Sequence, residues 1–190
     1  MSKIGEKPII ILEGVTIDKV NDQEIKIKGP KGEVNFSLPS NFTFVFEDKQ
    51  IKIVPHLNID NKDQLDRKTK ALWGTLRSLL NNKIIGVSQG FEKVLILEGL
   101  GYGGEIRDNK LVFKIGYSHP VSIDIPSDVE VSIKPEKGKS LIYVRGIDKE
   151  RVGSFAAKIK SLKKADRYHQ KGFRYIDEII KLKPVKKATK

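Results

Sequence analysis

The chain has 190 residues and a mass of 21.4 kDa, room for one ordinary domain or two small ones. Hydrophobic residues make up 38% and charged residues 32%, which excludes an acidic disordered chain and leaves a core under a very polar surface. Lys and Arg number 36 against 24 Asp and Glu, so the net charge of +12 points to a polyanionic partner, and the absence of Cys excludes disulfides and thiol chemistry.

In chain order, Met1-Ser2-Lys3-Ile4-Gly5-Glu6-Lys7-Pro8 lacks the basic head, apolar stretch and cleavage site of a signal peptide. No apolar run approaches the roughly 18 residues that a membrane span requires, and a cytoplasmic protein without a membrane partner is expected. Short strands with period-two alternation follow. Ile25 and Ile27 share one face, as do Phe42, Phe44 and Phe46, and then Ile51 and Ile53. Gly29-Pro30-Lys31-Gly32 and Glu47-Asp48-Lys49 read as turns between them.

Residues 62–81 switch to helical period, with Leu65, Leu72, Leu76 and Leu79 forming a stripe that Trp73 and Leu80 widen. Alternation then returns through Leu111, Phe113 and Ile115, through Val121, Ile123 and Ile125, and through Val129, Val131 and Ile133. Turns are expected at Asp108-Asn109 and Pro135-Glu136-Lys137-Gly138. A second helix is expected over 149–162 on Val152, Phe155, Ala156, Ile159 and Leu162, with Asp148 at its N-cap.

The order strands, helix, strands, helix suggests an internal duplication. Leu38-Pro39-Ser40-Asn41 matches Ile125-Pro126-Ser127-Asp128 at an offset of 87, and Gly29 meets Gly116 at the same offset. The predicted fold is α+β: two tandem duplicated small domains, each an antiparallel sheet with one packed helix. The boundary is expected near residues 82–90, where Asn81, Asn82, Gly86 and Gly90 cluster, which gives an N-terminal domain at 1–82, a C-terminal domain at 83–180 and a flexible basic tail at 181–190.

Two motifs imitate nucleotide chemistry. Gly99-Leu100-Gly101-Tyr102-Gly103-Gly104 fits the dinucleotide spacing, but strand-like residues rather than a helix follow it, so a turn is expected. Gly138-Lys139-Ser140 resembles the end of a phosphate loop without its upstream Gly. His56, His119 and His169 stand at no metal-ligand spacing, and no nucleophile and base are arranged for catalysis. The expectation is a protein that is not an enzyme and has no cofactor or metal.

The charge is asymmetric. Residues 148–190 hold 14 Lys and Arg against 5 Asp and Glu, so three quarters of the excess lies in this last quarter. Lys158, Lys160, Lys163, Lys164, Arg167, Lys171 and Arg174 are interleaved with Tyr168, His169, Phe173 and Tyr175, and only Asp166 opposes them within 158–174. Cations neutralise phosphates, aromatic rings stack on unpaired bases, and Gly172 would let the backbone approach a partner.

Several motifs carry a resemblance. They include Lys28-Gly29-Pro30-Lys31-Gly32-Glu33, Gly74-Thr75-Leu76-Arg77-Ser78-Leu79, Gly116-Tyr117-Ser118-His119-Pro120-Val121 and Gly146-Ile147-Asp148-Lys149-Glu150-Arg151-Val152-Gly153. From residue 1 to about 180 the chain resembles the bacterial-type large-subunit ribosomal protein six family. The resemblance implies two duplicated α+β domains and a structural role in the large ribosomal subunit. It also implies binding of large-subunit rRNA near the sarcin–ricin loop and the stalk base, beside neighbouring ribosomal proteins and docking translation factors. The family's C-terminal signature falls on Ala165–Phe173, where Asp166, Tyr168, Lys171 and Gly172 match. Ala165, His169, Gln170 and Phe173 depart from it. Residues 56–60 are longer and more apolar than the family pattern, and Trp73 stands where the family has His, so an imidazole contact to RNA does not carry over there, although an indole could stack.

The expected rRNA-binding residues are Lys158, Lys160, Lys163, Lys164, Arg167, Tyr168, His169, Lys171, Gly172 and Arg174. The rival readings are a non-ribosomal RNA-binding or chaperone module and a nucleotide-dependent enzyme built on Gly99–Gly104.

Overall fold

Alternation along Glu24–Gly29 sends Ile25 and Ile27 to one face, and both are fully buried in the computed structural model, which describes residues 3–56, 66–136 and 138–184. Residues 57–60, Leu65, Lys137 and the Lys186-Lys187 pair, all singled out in the sequence, lie outside the described residues. The chain forms two compact units, one reaching to Gly90 and including Ile147–Lys149, the other comprising Phe91–Gly146 and the residues from Glu150 onward.

The first unit contains β1 (Ile9–Ile10), β2 (Thr16–Asn21), β3 (Glu24–Gly29), β4 (Gly32–Ser37), β5 (Phe42–Glu47), β6 (Gln50–Pro55) and α1 (Arg67–Ser88). The strands make two antiparallel sheets of three, ordered β2-β3-β4 and β1-β6-β5. Ile25, Ile27, Phe42, Phe44, Ile51 and Ile53 meet the buried face of α1 in one core. Phe46, expected on the same face, is exposed at the end of β5.

The helix differs from its prediction in extent and in face. Asp66 caps it by accepting from the Lys68 N–H, and it runs on to Ser88. Its buried side chains are Trp73, Leu76, Leu80, Ile84 and Val87, while Leu72 and Leu79 face outward. The longer helix explains the change. Ile84 and Val87 continue the line through Trp73, Leu76 and Leu80 at spacings of three and four, and a line through Leu72 and Leu79 finds no such continuation. Gly90, at φ +77°, donates its N–H to Gly86 and ends the helix in the conformation glycine adopts most easily. The line drawn at 82–83 falls inside α1, and the compact units divide at Gly90, at the end of the stretch 82–90 in which the boundary was expected.

Trp73 is 3% exposed, and its indole N–H donates to the Ile53 carbonyl at 2.7 Å. A Cβ on Gly5 would come within 2.6 Å of its ring. The stacking role expected for Trp73 on RNA is therefore excluded; this side chain is core.

The second unit contains β7 (Phe91–Glu98), β8 (Gly103–Arg107), β9 (Lys110–Lys114), β10 (Val121–Asp124), β11 (Val129–Glu136), β12 (Lys139–Gly146), α2 (Lys149–Leu162) and β13 (Gly172–Tyr175). Its sheets are β8-β9-β10 and β11-β12-β7-β13. The order β10-β9-β8 repeats β4-β3-β2, and β11-β12-β7 repeats β5-β6-β1, with one helix after each final hairpin. The duplication read from the sequence is thus present in the topology, although each copy divides its strands over two sheets rather than one. β13 is the addition: no strand among the described residues of the first unit corresponds to it. Val152, Phe155, Ala156 and Ile159 on α2 close this second core, and Phe173 from β13 enters it edge-to-face with Phe113 at 5.0 Å between ring centroids.

Candidate nucleic-acid interface

The predicted site begins on the exposed face of α2 and continues through the loop that leads to β13. Tyr117 supports the end of the helix by donating its hydroxyl to the Leu162 carbonyl at 3.1 Å, and the Lys163 ammonium lies 4.5 Å from the centre of its ring. The chain then turns back on itself. The Phe173 N–H donates to Lys163 O at 2.7 Å, the Ala165 N–H to Phe173 O at 3.1 Å, and the Asp166 N–H to Lys171 O at 3.0 Å.

Asp166 organises the loop tip. One of its carboxylate oxygens accepts the His169 backbone N–H at 3.0 Å and lies 3.3 Å from His169 Nδ1. Burial acts to raise the pKa of this carboxyl. The N–H groups of His169 and Tyr168 and the His169 ring outweigh it, so the carboxyl titrates below its usual value. Gln170 takes φ +58°, which turns the chain toward Lys171. The result is a braced loop that presents Arg167, Tyr168, His169 and Lys171 to solvent.

The ten predicted residues sort into three groups. Lys158, Lys164, Arg167 and Lys171 are exposed and have no ion-pair partner among the described residues. Tyr168 and His169 are exposed on the loop beside them, and Lys163 is half-buried against Tyr117. The remaining three serve the unit itself. Lys160 donates to Glu178 Oε2 at 2.6 Å and lies 4.6 Å from the Tyr175 ring centre. Arg174 is half-buried, pairs with Glu98 at 3.3 Å and keeps its Nε out of solvent. Gly172 is buried at φ +130°, where a Cβ would come within 2.6 Å of Lys163 O and 2.8 Å of Lys164 O. The close approach that Gly172 permits is to its own chain, not to a partner.

Sequence reasoning missed Lys181 and Lys183. The Lys183 N–H donates to the Arg167 carbonyl at 3.0 Å, so the segment expected to be a free tail from residue 181 is joined to the loop at this point. A cleft of about 700 Å³ lies between them, lined by Lys160, Lys164, Arg167, Glu178, Lys181 and Lys183 among others. The visible signal was Asp177-Glu178, two carboxylates directly after a long cationic run. Gly99-Leu100-Gly101-Tyr102 is the turn between β7 and β8, and Gly103 opens a strand, so no helix terminus is available there for a pyrophosphate.

The family profile of ribosomal protein L6 matches this chain twice, over residues 11–90 and again over 99–176. The chain belongs to the ribosomal protein L6 family. The two matches fall on the two structural copies. Among its relatives is the large ribosomal subunit protein uL6 of Thermosipho melanesiensis, 42% identical over 99% of this chain and all of that protein. The uL6 protein of Fervidobacterium nodosum is 40% identical over the same shares. That of Clostridium perfringens is 38% identical over 96% of this chain and 97% of its own length. A ribosomal protein L6 is a structural component of the large subunit and not an enzyme, and in bacteria it works in the cytoplasm as part of the ribosome. Membership also accounts for the motifs from Lys28 to Gly153 that resemble the family.

Proposed function

We propose that the protein binds large-subunit rRNA through the loop 164–171 and the adjoining face of α2. Lys158, Lys164, Arg167 and Lys171 contact backbone phosphates, and Lys163 adds a partly covered charge. Tyr168 and His169 contact sugar or base. The observation that carries this reading is the sorting of the cations: Lys164, Arg167 and Lys171 on the braced loop with exposed Tyr168, and Lys158 on α2, have no ion-pair partner among the described residues. Phosphate contacts position a protein without reading sequence, so the shape of the RNA supplies most of the selectivity. The family resemblance extends the proposal to a place near the sarcin–ricin loop and the stalk base, where translation factors dock. Neighbouring ribosomal proteins would complete the surroundings.

The test is binding to deproteinised large-subunit rRNA across a salt series. Log affinity should fall linearly with log salt, and the triple variant Lys164→Ala/Arg167→Ala/Lys171→Ala should make the slope shallower by about 2–3. A salt-independent affinity would refute the phosphate contacts. Hydroxyl-radical footprinting on intact large subunits would locate the site, and protection confined to RNA far from the sarcin–ricin loop would refute the placement.

A further inference from the structure

Residues 176–183 lie on the surface as an arm with little apolar burial, Ile180 alone of its apolar side chains being half-buried. Ile179 is 91% exposed, and Ile176 and Leu182 are exposed as well. Polar contacts hold it at three points. The Ile176 N–H donates to Val94 O at 3.1 Å, which continues the edge of the sheet beyond β13. Glu178 then closes a small ring with Tyr175: its N–H donates to Tyr175 O at 3.1 Å, and its carboxylate accepts the Tyr175 N–H at 3.1 Å. The same carboxylate oxygen takes the Lys160 ammonium at 2.6 Å. At the far end the Lys183 N–H donates to Arg167 O.

This arrangement has an electrostatic consequence. The cleft of about 700 Å³ between arm and loop is lined by five cationic residues and one acidic residue, with four others. Lys160 already matches that carboxylate. Lys164, Arg167, Lys181 and Lys183 border the same cleft and have no ion-pair partner among the described residues. Like charges held around one space repel, and an anion that enters relieves all four together. The cleft is far larger than one phosphate group and is open to solvent, so it fits a stretch of polymer backbone better than a free ion. It also adjoins Arg167, at the edge of the loop that carries Tyr168 and His169.

We infer that the arm 176–183 completes the rRNA site: the cleft between it and loop 164–167 seats the sugar–phosphate backbone, Lys181 and Lys183 contact it, and Glu178 is the positioning residue that holds the arm in place. The inference rests on the rRNA-binding reading above and adds a second wall to that site. Glu178 serves binding although it carries the same sign of charge as RNA.

The experiment compares full-length variants on deproteinised large-subunit rRNA across a salt series. Lys181→Ala/Lys183→Ala should weaken binding several-fold and make the salt slope shallower by about 0.7–1.8, the range for one to two lost phosphate contacts. The loop pair Lys164→Ala/Arg167→Ala should act in the same direction. A changed slope for the loop pair with an unchanged slope for the arm pair overturns this inference and leaves the rRNA reading standing. Unchanged slopes for both overturn the two together. Glu178→Ala removes a negative charge beside the RNA, so charge alone predicts tighter binding. The positioning role predicts weaker binding, with faster hydrogen exchange at the Tyr175 and Lys183 amides and unchanged protection within α2. Tighter binding with unchanged exchange overturns the role of Glu178.

Discussion

The backbone N–H of Phe173 donates to the carbonyl oxygen of Lys163 at 2.7 Å, and this bond joins the start of β13 to the end of α2. The intervening residues are thereby closed into a loop whose base is anchored in the core through the Phe173 ring, which is fully buried. A cationic loop with such a base loses little further conformational entropy when RNA engages it.

The anchor requires glycine at position 172. Gly172→Ala places a Cβ against the carbonyls of Lys163 and Lys164 at φ +130°. Strain and overpacking together should destabilise the second unit by about 2–4 kcal/mol. Thermal or urea unfolding measures it, and a wild-type midpoint would show that the loop base can open without loss.

Arg174 and Lys171 should separate stability from binding. Removing the Arg174 side chain leaves Glu98 half-buried without its partner, so Arg174→Ala should cost about 1–3 kcal/mol. Lys171→Ala should leave the unfolding midpoint near wild type and instead reduce the salt slope of rRNA binding by about 0.7–0.9. Equal effects of the two variants on the salt slope would contradict the assignment of Arg174 to the interior.

The Glu178 latch should open in acid. Hydrogen bonding to Lys160 is the main reason that the Glu178 carboxyl titrates below its ordinary 4.5, against a smaller opposing effect of burial. A carboxyl with a depressed folded pKa stabilises fully above its unfolded value, and the stabilisation is lost as pH falls through the folded one. Exchange at the Tyr175 amide should therefore be slow at neutral pH and accelerate, beyond the intrinsic trend, once pH drops below about 4.5. In Glu178→Gln this acid-dependent step should vanish. Its persistence would assign the step to another carboxyl, Asp166 first, whose pKa is also lowered.

Two neighbouring leucines on α1 should behave oppositely. Leu80 is fully buried and Leu79 is exposed. Leu80→Ala should cost about 2–5 kcal/mol and Leu79→Ala less than about 1 kcal/mol by denaturant unfolding. In the same core, Trp73→Phe orphans the Ile53 carbonyl and should cost about 1–3 kcal/mol without changing rRNA affinity. A loss of affinity would restore an RNA role to this side chain.

Much of the fold was legible because alternation and helical period are local. Ile25 and Ile27, Phe42 and Phe44, and Leu111 and Phe113 are buried as their spacing predicts, and α2 spans Lys149–Leu162. The division of strands into two sheets was not legible, since both arrangements satisfy the same alternation. Nor was the choice between Leu72 and Trp73 as core. Adjacent helical positions differ by about 100° around the axis, and only the facing sheets decide which one is covered. For the site, the stretch rich in Lys and Arg was evident from composition, while its neutralisation was not: Glu98 comes from a distant strand, and Glu178, close in sequence, reaches Lys160 only through the fold.

By itself the sequence determined the α+β class, the duplication, the asymmetry of charge and, through its motifs, the family. These follow from residue type and spacing along the chain. Tertiary structure alone decided which of the cations are free. Glu98 reaches Arg174 and Glu178 reaches Lys160 only because β13 pairs with β7 and the following arm folds back, as does the contact of Lys183 with Arg167. Net charge is a sum over the chain, whereas the charge that an RNA phosphate meets depends on which ions are already paired in space.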